Sequence, residues 1–149
     1  MPRSYTSILV HVVFSTYERT PFITPDLRES LYAYLGGIAR NLGAHPFRVG
    51  GIADHVHLLA AVPPMLSIAD FLNKIKSNSS KWIHEAKLHQ DFAWQRGYGA
   101  FSVSPSSAGG VVRYIANQEL HHHQVTFREE FLSLLKEAGV EFDERYVFD

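Results

Sequence analysis

A chain of 149 residues, 46% hydrophobic and 19% charged, has the size and composition of one globular domain with a real core. It holds no cysteine, which excludes disulfides, thiolate metal sites, iron–sulfur clusters and a cysteine nucleophile. The net charge of −1 conceals an asymmetry: residues 1–118 carry 11 Lys/Arg against 7 Asp/Glu, and residues 119–149 carry 3 against 8, so a mildly basic body suits a phosphate-bearing partner.

Tyr5 to Phe14 (YTSILVHVVF) is rich in β-branched and aromatic residues and reads as a strand. Thr24 caps a helix with Pro25 in its first turn; Leu27, Leu31, Tyr34, Leu35 and Ile38 repeat at helical spacing until Gly43 closes it. Pro46 to Ile52 and Val56 to Val62 read as two strands joined by a short hairpin link through Ala53 and Asp54. Ser67 caps a second long helix reaching about His89. Gly97 to Val103 is a fourth strand, followed by a turn at Ser104–Ser107, a helix over about 108–122, and a last helix over about 128–138. The order strand–helix–strand–strand–helix–strand predicts an α+β, ferredoxin-like (RRM-like) fold. Its four-stranded antiparallel sheet has helices on one face, with a further C-terminal helix. A single domain, 1–149, is expected, with residues 123–149 as an acidic C-terminal tail. The longest apolar run is strand-sized and the N-terminus lacks a signal-peptide pattern, so no membrane contact and a cytoplasmic location are expected.

Nine histidines direct attention to three patterns. In Asp54-His55-Val56-His57, alternation on a strand turns both imidazoles to one face, where they can share a divalent ion. In Tyr114-Ile115-Ala116-Asn117-Gln118, the tyrosine and glutamine are four apart and share a helical face, with His121 and His122 near it. A tyrosine hydroxyl there can attack a phosphodiester if a cation neutralises the developing charge. Lys74, Lys76, Ser77 and Lys81 on the second helix, with Arg113 beside Tyr114, offer donors for a phosphate backbone. No Walker loop or dinucleotide fingerprint is present, so no nucleotide cofactor is expected.

Together these segments resemble the single-tyrosine HUH transposases of the insertion sequence 200 / insertion sequence 605 family. HVVFSTYERTPFI resembles that family's opening strand and loop, DHVHLL its metal strand and KIKSNSSKWI its DNA-binding helix. WQRGYGAFSVS and YIANQELHH resemble its last strand and catalytic helix. The resemblance implies a homodimer that cuts and rejoins single-stranded DNA beside hairpins. It implies Mg²⁺ or Mn²⁺ on His55, His57 and Gln118, and Tyr114 as nucleophile. The product would be a 5′-phosphotyrosine link and a free 3′-hydroxyl. Asp54 stands where many members carry Asn and, with His121 and His122, is placed in support of the metal ligands. Two alternatives stay open: a domesticated DNA-binding protein of the same fold, and a metal-dependent single-strand nuclease using water.

Overall fold

A computed structural model describes residues 4–149. Four strands, β1 (Leu9–Ser15), β2 (His45–Ile52), β3 (His55–Ala61) and β4 (Gly99–Val103), form one antiparallel sheet in the order β2-β3-β1-β4. Helix α1 (Pro25–Asn41) links β1 to β2 and α2 (Ile68–Glu85) links β3 to β4, so two βαβ units interleave as the ferredoxin-like reading requires. Three further helices follow: α3 (Ala108–Ala116), α4 (Gln118–His121) and α5 (Phe127–Glu137). Among the described residues, no helix is long and apolar enough to cross a membrane.

Three of the helices start where the sequence places a cap. The side chains of Thr24, Ser67 and Thr126 accept from the backbone N–H three residues on, at 3.4, 3.0 and 3.1 Å. Alternation then divides the sheet into two faces. Val10, Val12, Phe14, Val56, Leu58 and Ala60 join Leu31, Leu35, Phe71, Leu72 and Ile75 of α1 and α2 in the main core. His11, Val13, Ser15, His55 and His57 lie on the opposite face, which α3, α4 and α5 cover.

Three boundaries differ from expectation by more than two residues. β1 begins at Leu9 rather than Tyr5, because its ladder with β3 ends at the Leu9–Ala61 pair. α2 stops at Glu85 rather than near His89. The helix expected over 108–122 breaks at Asn117, whose φ and ψ of −99° and 20° leave the helical range.

Two glycines seat the covering helices. In the β2–β3–β1–β4 register, Gly50, His57, Val13 and Gly99 form one row across the sheet. A Cβ on Gly50 would lie 2.6 Å from the carbonyl oxygen of Ile115, so α3 rests directly on that backbone. A Cβ on Gly99 would lie 2.8 Å from the ring of Phe131 in α5.

Candidate active site

β3 delivers His55 and His57 to the covered face, both completely buried. Asp54, in the hairpin, holds His55 Nδ1 at 2.8 Å, which turns Nε2 inward. His57 is oriented by His11 of β1, whose Nε2 lies 2.8 Å from His57 Nδ1, with the two rings stacked. Phe127 of α5 stacks on His55 at a centroid distance of 4.4 Å.

From above, α3 and α4 bring Tyr114 and Gln118. Gln118 is 1% exposed, and its Oε1 lies 2.9 Å from His55 Nε2. The break at Asn117 leaves both side chains facing the histidines: the Tyr114 ring stands edge-on to His57 at 5.6 Å.

Glu130, the fourth residue of α5, joins these parts. Its Oε1 lies 3.2 Å from His55 Nε2, 3.0 Å from His57 Nε2 and 3.1 Å from His122 Nε2. Its Oε2 accepts from the Tyr114 hydroxyl and, at 3.0 Å, from the Gln118 amide. Glu130 as a whole is 3% exposed.

This packing sets the protonation pattern. Burial opposes charge on Glu130, but hydrogen bonds from His122, His55 and His57 outweigh it and hold the carboxyl far below its ordinary range. Burial also disfavours the His55 imidazolium, yet the bonds to Asp54 and Glu130 carry its pKa up to about 9. His57 is pushed down to about 4 by burial, against the pull of Glu130. His11 falls to about 3 through burial and the neighbouring His57. Burial and then Glu130 raise the Tyr114 phenol above its ordinary value.

The profile of the family described as "Transposase IS200 like" matches residues 4–118, which include every sequence-predicted site residue except His121 and His122. This chain belongs to the IS200-like transposase family. The ISDra2 transposase TnpA of Deinococcus radiodurans is 25% identical over 114 residues, covering 72% of this chain and 81% of that protein. The IS200 transposase of Salmonella typhimurium is also 25% identical over 114 residues, covering 72% and 74%. A crystal structure assigned to a Deinococcus radiodurans R1 transposase superposes with a TM-score of 0.64 at 25% identity, covering 79% of this chain and 96% of that one. A REP-associated tyrosine transposase bound to a REP hairpin shares the fold, with a TM-score of 0.59 at 14% identity over 84% of this chain and 74% of that one.

In this IS200-like transposase, His55, His57, Tyr114 and Gln118 meet within one chain. Asp54 and His122 stand behind them, and His121 Nε2 lies 3.3 Å from Glu130 Oε2. The lysine-rich helix does not join the group. α2 lies in the layer on the other side of the sheet, where Lys74 and Lys81 are exposed and Lys81 lies 3.9 Å from Glu85. Lys76 instead donates to the carbonyls of Gln95 and Gly97 at 2.6 and 2.9 Å, and Ser77 bonds back to Asn73 of its own helix. Arg113 is exposed next to Tyr114. Sequence reasoning missed His11 and Glu130. The signal for Glu130 was present: it falls on the stripe Phe127, Phe131, Leu134, Leu135 of an amphipathic helix, where a carboxylate is costly to bury without a partner.

Proposed function

We propose that this transposase cuts and rejoins single-stranded DNA through Tyr114, with a Mg²⁺ or Mn²⁺ ion held by His55, His57 and Gln118. The observation that carries the proposal is the meeting of the Tyr114 hydroxyl and both His55 and His57 on one carboxylate inside a single chain. The donor set fits a divalent cation: the buried imidazoles of His55 and His57 both lie against Glu130 Oε1, and the Gln118 amide oxygen lies 2.9 Å from His55 Nε2. When bound, such an ion supplies positive charge opposite the non-bridging oxygens of a phosphodiester.

The residues do the rest. Asp54 and His11 fix the ring orientations of His55 and His57 from behind. Gly50 lets α3 approach closely enough to place the phenol over His57. The Tyr114 oxygen forms a bond to phosphorus, the bond to the 3′-oxygen breaks, and that oxygen leaves as a 3′-hydroxyl after taking a proton. The phenol gives up its proton along its hydrogen bond to Glu130 only as the oxygen–phosphorus bond forms and makes that proton strongly acidic. The phosphodiester energy is retained in the tyrosyl ester, so rejoining needs no nucleotide cofactor.

Arg113, exposed beside the nucleophile, is suited to phosphate contact. Lys74 and Lys81 would meet a duplex or hairpin only on the far side of the sheet, a place where DNA arms flanking the cleaved strand can run. DNA hairpins are the expected substrate form. Among the described residues β2 and β4 are the outer strands of the sheet, and their edges support a homodimer in a cytoplasmic setting, although the catalytic group needs only one chain. One domain spans 1–149 in this reading, with the acidic segment after residue 123 folded onto the site through α5.

The test is a denaturing gel with labelled single-stranded DNA carrying a hairpin from the flanks of its own locus, in Mg²⁺ or Mn²⁺. The proposal expects a covalent protein–DNA adduct that disappears in Tyr114→Phe. Cleavage without any adduct would instead establish a nuclease that uses water.

A further inference from the structure

We infer that Glu130 of α5 is itself a ligand of the ion, so that the metal centre of this chain draws on its C-terminal helix. The inference rests on the metal reading above and extends it to a residue outside the segment matched by the family, 4–118.

The first argument is spacing. Neighbouring oxygen ligands of an octahedral cation at about 2.1 Å stand about 3.0 Å apart. Glu130 Oε1 lies 3.2 Å from His55 Nε2 and 3.0 Å from His57 Nε2, so it already occupies the position of a neighbouring ligand to both. His122, buried against the same oxygen at 3.1 Å, closes the group; His55, His122 and Glu130 each offer a ligand atom within 4.8 Å of the others.

The second argument is ligand chemistry. Two imidazoles and an amide form a neutral set, whereas Mg²⁺ and Mn²⁺ favour anionic oxygen. Two histidines with one carboxylate is a donor set that holds divalent iron with positions left open for substrate, and its carboxylate is the ligand type that suits Mg²⁺ and Mn²⁺.

The third argument is charge. Beside neutral imidazoles, the form in which histidine ligates a metal, a buried carboxylate next to the nucleophile repels an incoming phosphodiester unless a cation lies between them. Ligation resolves this, with Oε1 toward the ion and Oε2 still holding the Tyr114 hydroxyl. The alternative is that Glu130 merely plugs the site and must leave before the ion enters. Ligand and plug predict opposite effects of removing its charge.

The experiment is Mn²⁺ titration by calorimetry, on the full chain, of wild type, Glu130→Gln and the double variant His55→Ala/His57→Ala. Hydrogen exchange of α5 is measured with and without Mn²⁺. If Glu130 is a ligand, Glu130→Gln binds Mn²⁺ more weakly by well over about 100-fold, beyond the roughly 10- to 100-fold of a group that only orients the histidines, and Mn²⁺ raises exchange protection across Phe127–Glu137 in wild type. Weakening within that smaller range, equal binding or tighter binding by Glu130→Gln overturns the inference and leaves the metal reading intact, provided the double histidine variant loses the ion. The exchange measurement needs no variant: unchanged or reduced protection of α5 overturns the inference even if Glu130→Gln fails to fold. Wild type without Mn²⁺ binding overturns the metal reading itself.

Discussion

The hydroxyl of Tyr114 donates to the carboxylate of Glu130, sixteen residues further along the chain. The phenol is thereby aimed before any DNA arrives. Removing it takes away one oxygen, while Gln118 still donates to the same carboxylate at 3.0 Å. Tyr114→Phe is therefore expected to fold, within about 1–2 kcal/mol of wild type. Covalent adduct formation should fall by about 10³-fold or more, as read on a denaturing gel.

Chelation is expected to abolish cleavage, and Mg²⁺ or Mn²⁺ to restore it. The double variant His55→Ala/His57→Ala should show no restoration at any metal concentration. Because both imidazoles are fully buried and hydrogen-bonded, this variant should also lose stability, by about 2–5 kcal/mol. Thermal unfolding therefore has to accompany the activity assay.

Gly50→Val tests whether the placement of Tyr114 depends on the seat of α3. A Cβ there meets the Ile115 carbonyl at 2.6 Å, so the helix must lift away from the sheet. Tyr114 and Gln118 would move with it while His55 and His57 keep their strand positions. Cleavage should drop about 10²-fold, and α3 amides should exchange faster than those of β3. Wild-type cleavage in Gly50→Val would show that α3 is not positioned in this way.

The lysines of α2 should separate by role. Lys76 ties α2 to the segment before β4, and burial holds its ammonium below the ordinary lysine pKa. Lys76→Met should cost about 1–3 kcal/mol of stability, visible in urea unfolding. Lys74→Ala and Lys81→Ala should cost less than about 0.5 kcal/mol. Their effect belongs in the salt dependence of DNA binding, whose slope should fall by about one for each phosphate that is no longer neutralised.

Tyr32 provides a check on alkaline stability. Its hydroxyl is buried without a hydrogen-bond partner among the described residues, and burial raises its pKa to about 12. The folded chain keeps this proton where the unfolded chain, with its ordinary value near 10, has lost it. Stability therefore falls as pH rises from about 10 to about 12. Tyr32→Phe should remove that contribution and shift the alkaline unfolding midpoint upward, at no cost at pH 7. A lower midpoint would show that the hydroxyl is paired in solution.

The parts of the site legible in the sequence are those set by local periodicity. A two-residue spacing on β3 put His55 and His57 on one face, and a four-residue spacing put Tyr114 near Gln118, despite the break at Asn117. The sheet was legible for the same reason, down to the interleaved helices. What stayed hidden depends on contacts across the fold. His11 meets His57 only through the β1–β3 register, and Glu130 reaches the histidines only when α5 folds back over the sheet. Lys76 read as a phosphate contact because its charge is local information, whereas the two carbonyls that use it are 19 and 21 residues away.

The row Gly50, His57, Val13, Gly99 has an implication for how mutations distribute over this protein. α3 and α5 are each held at the height of a missing side chain, one on either side of the histidine that faces Glu130. A saturation scan for activity should therefore show two intolerant positions that contribute no reactive group at all. Their tolerance profile would differ from that of His57: every replacement harmful in proportion to its bulk, with alanine the mildest, rather than all replacements equally inactive. The geometry of the chemistry is thus recorded partly in atoms the sequence leaves out.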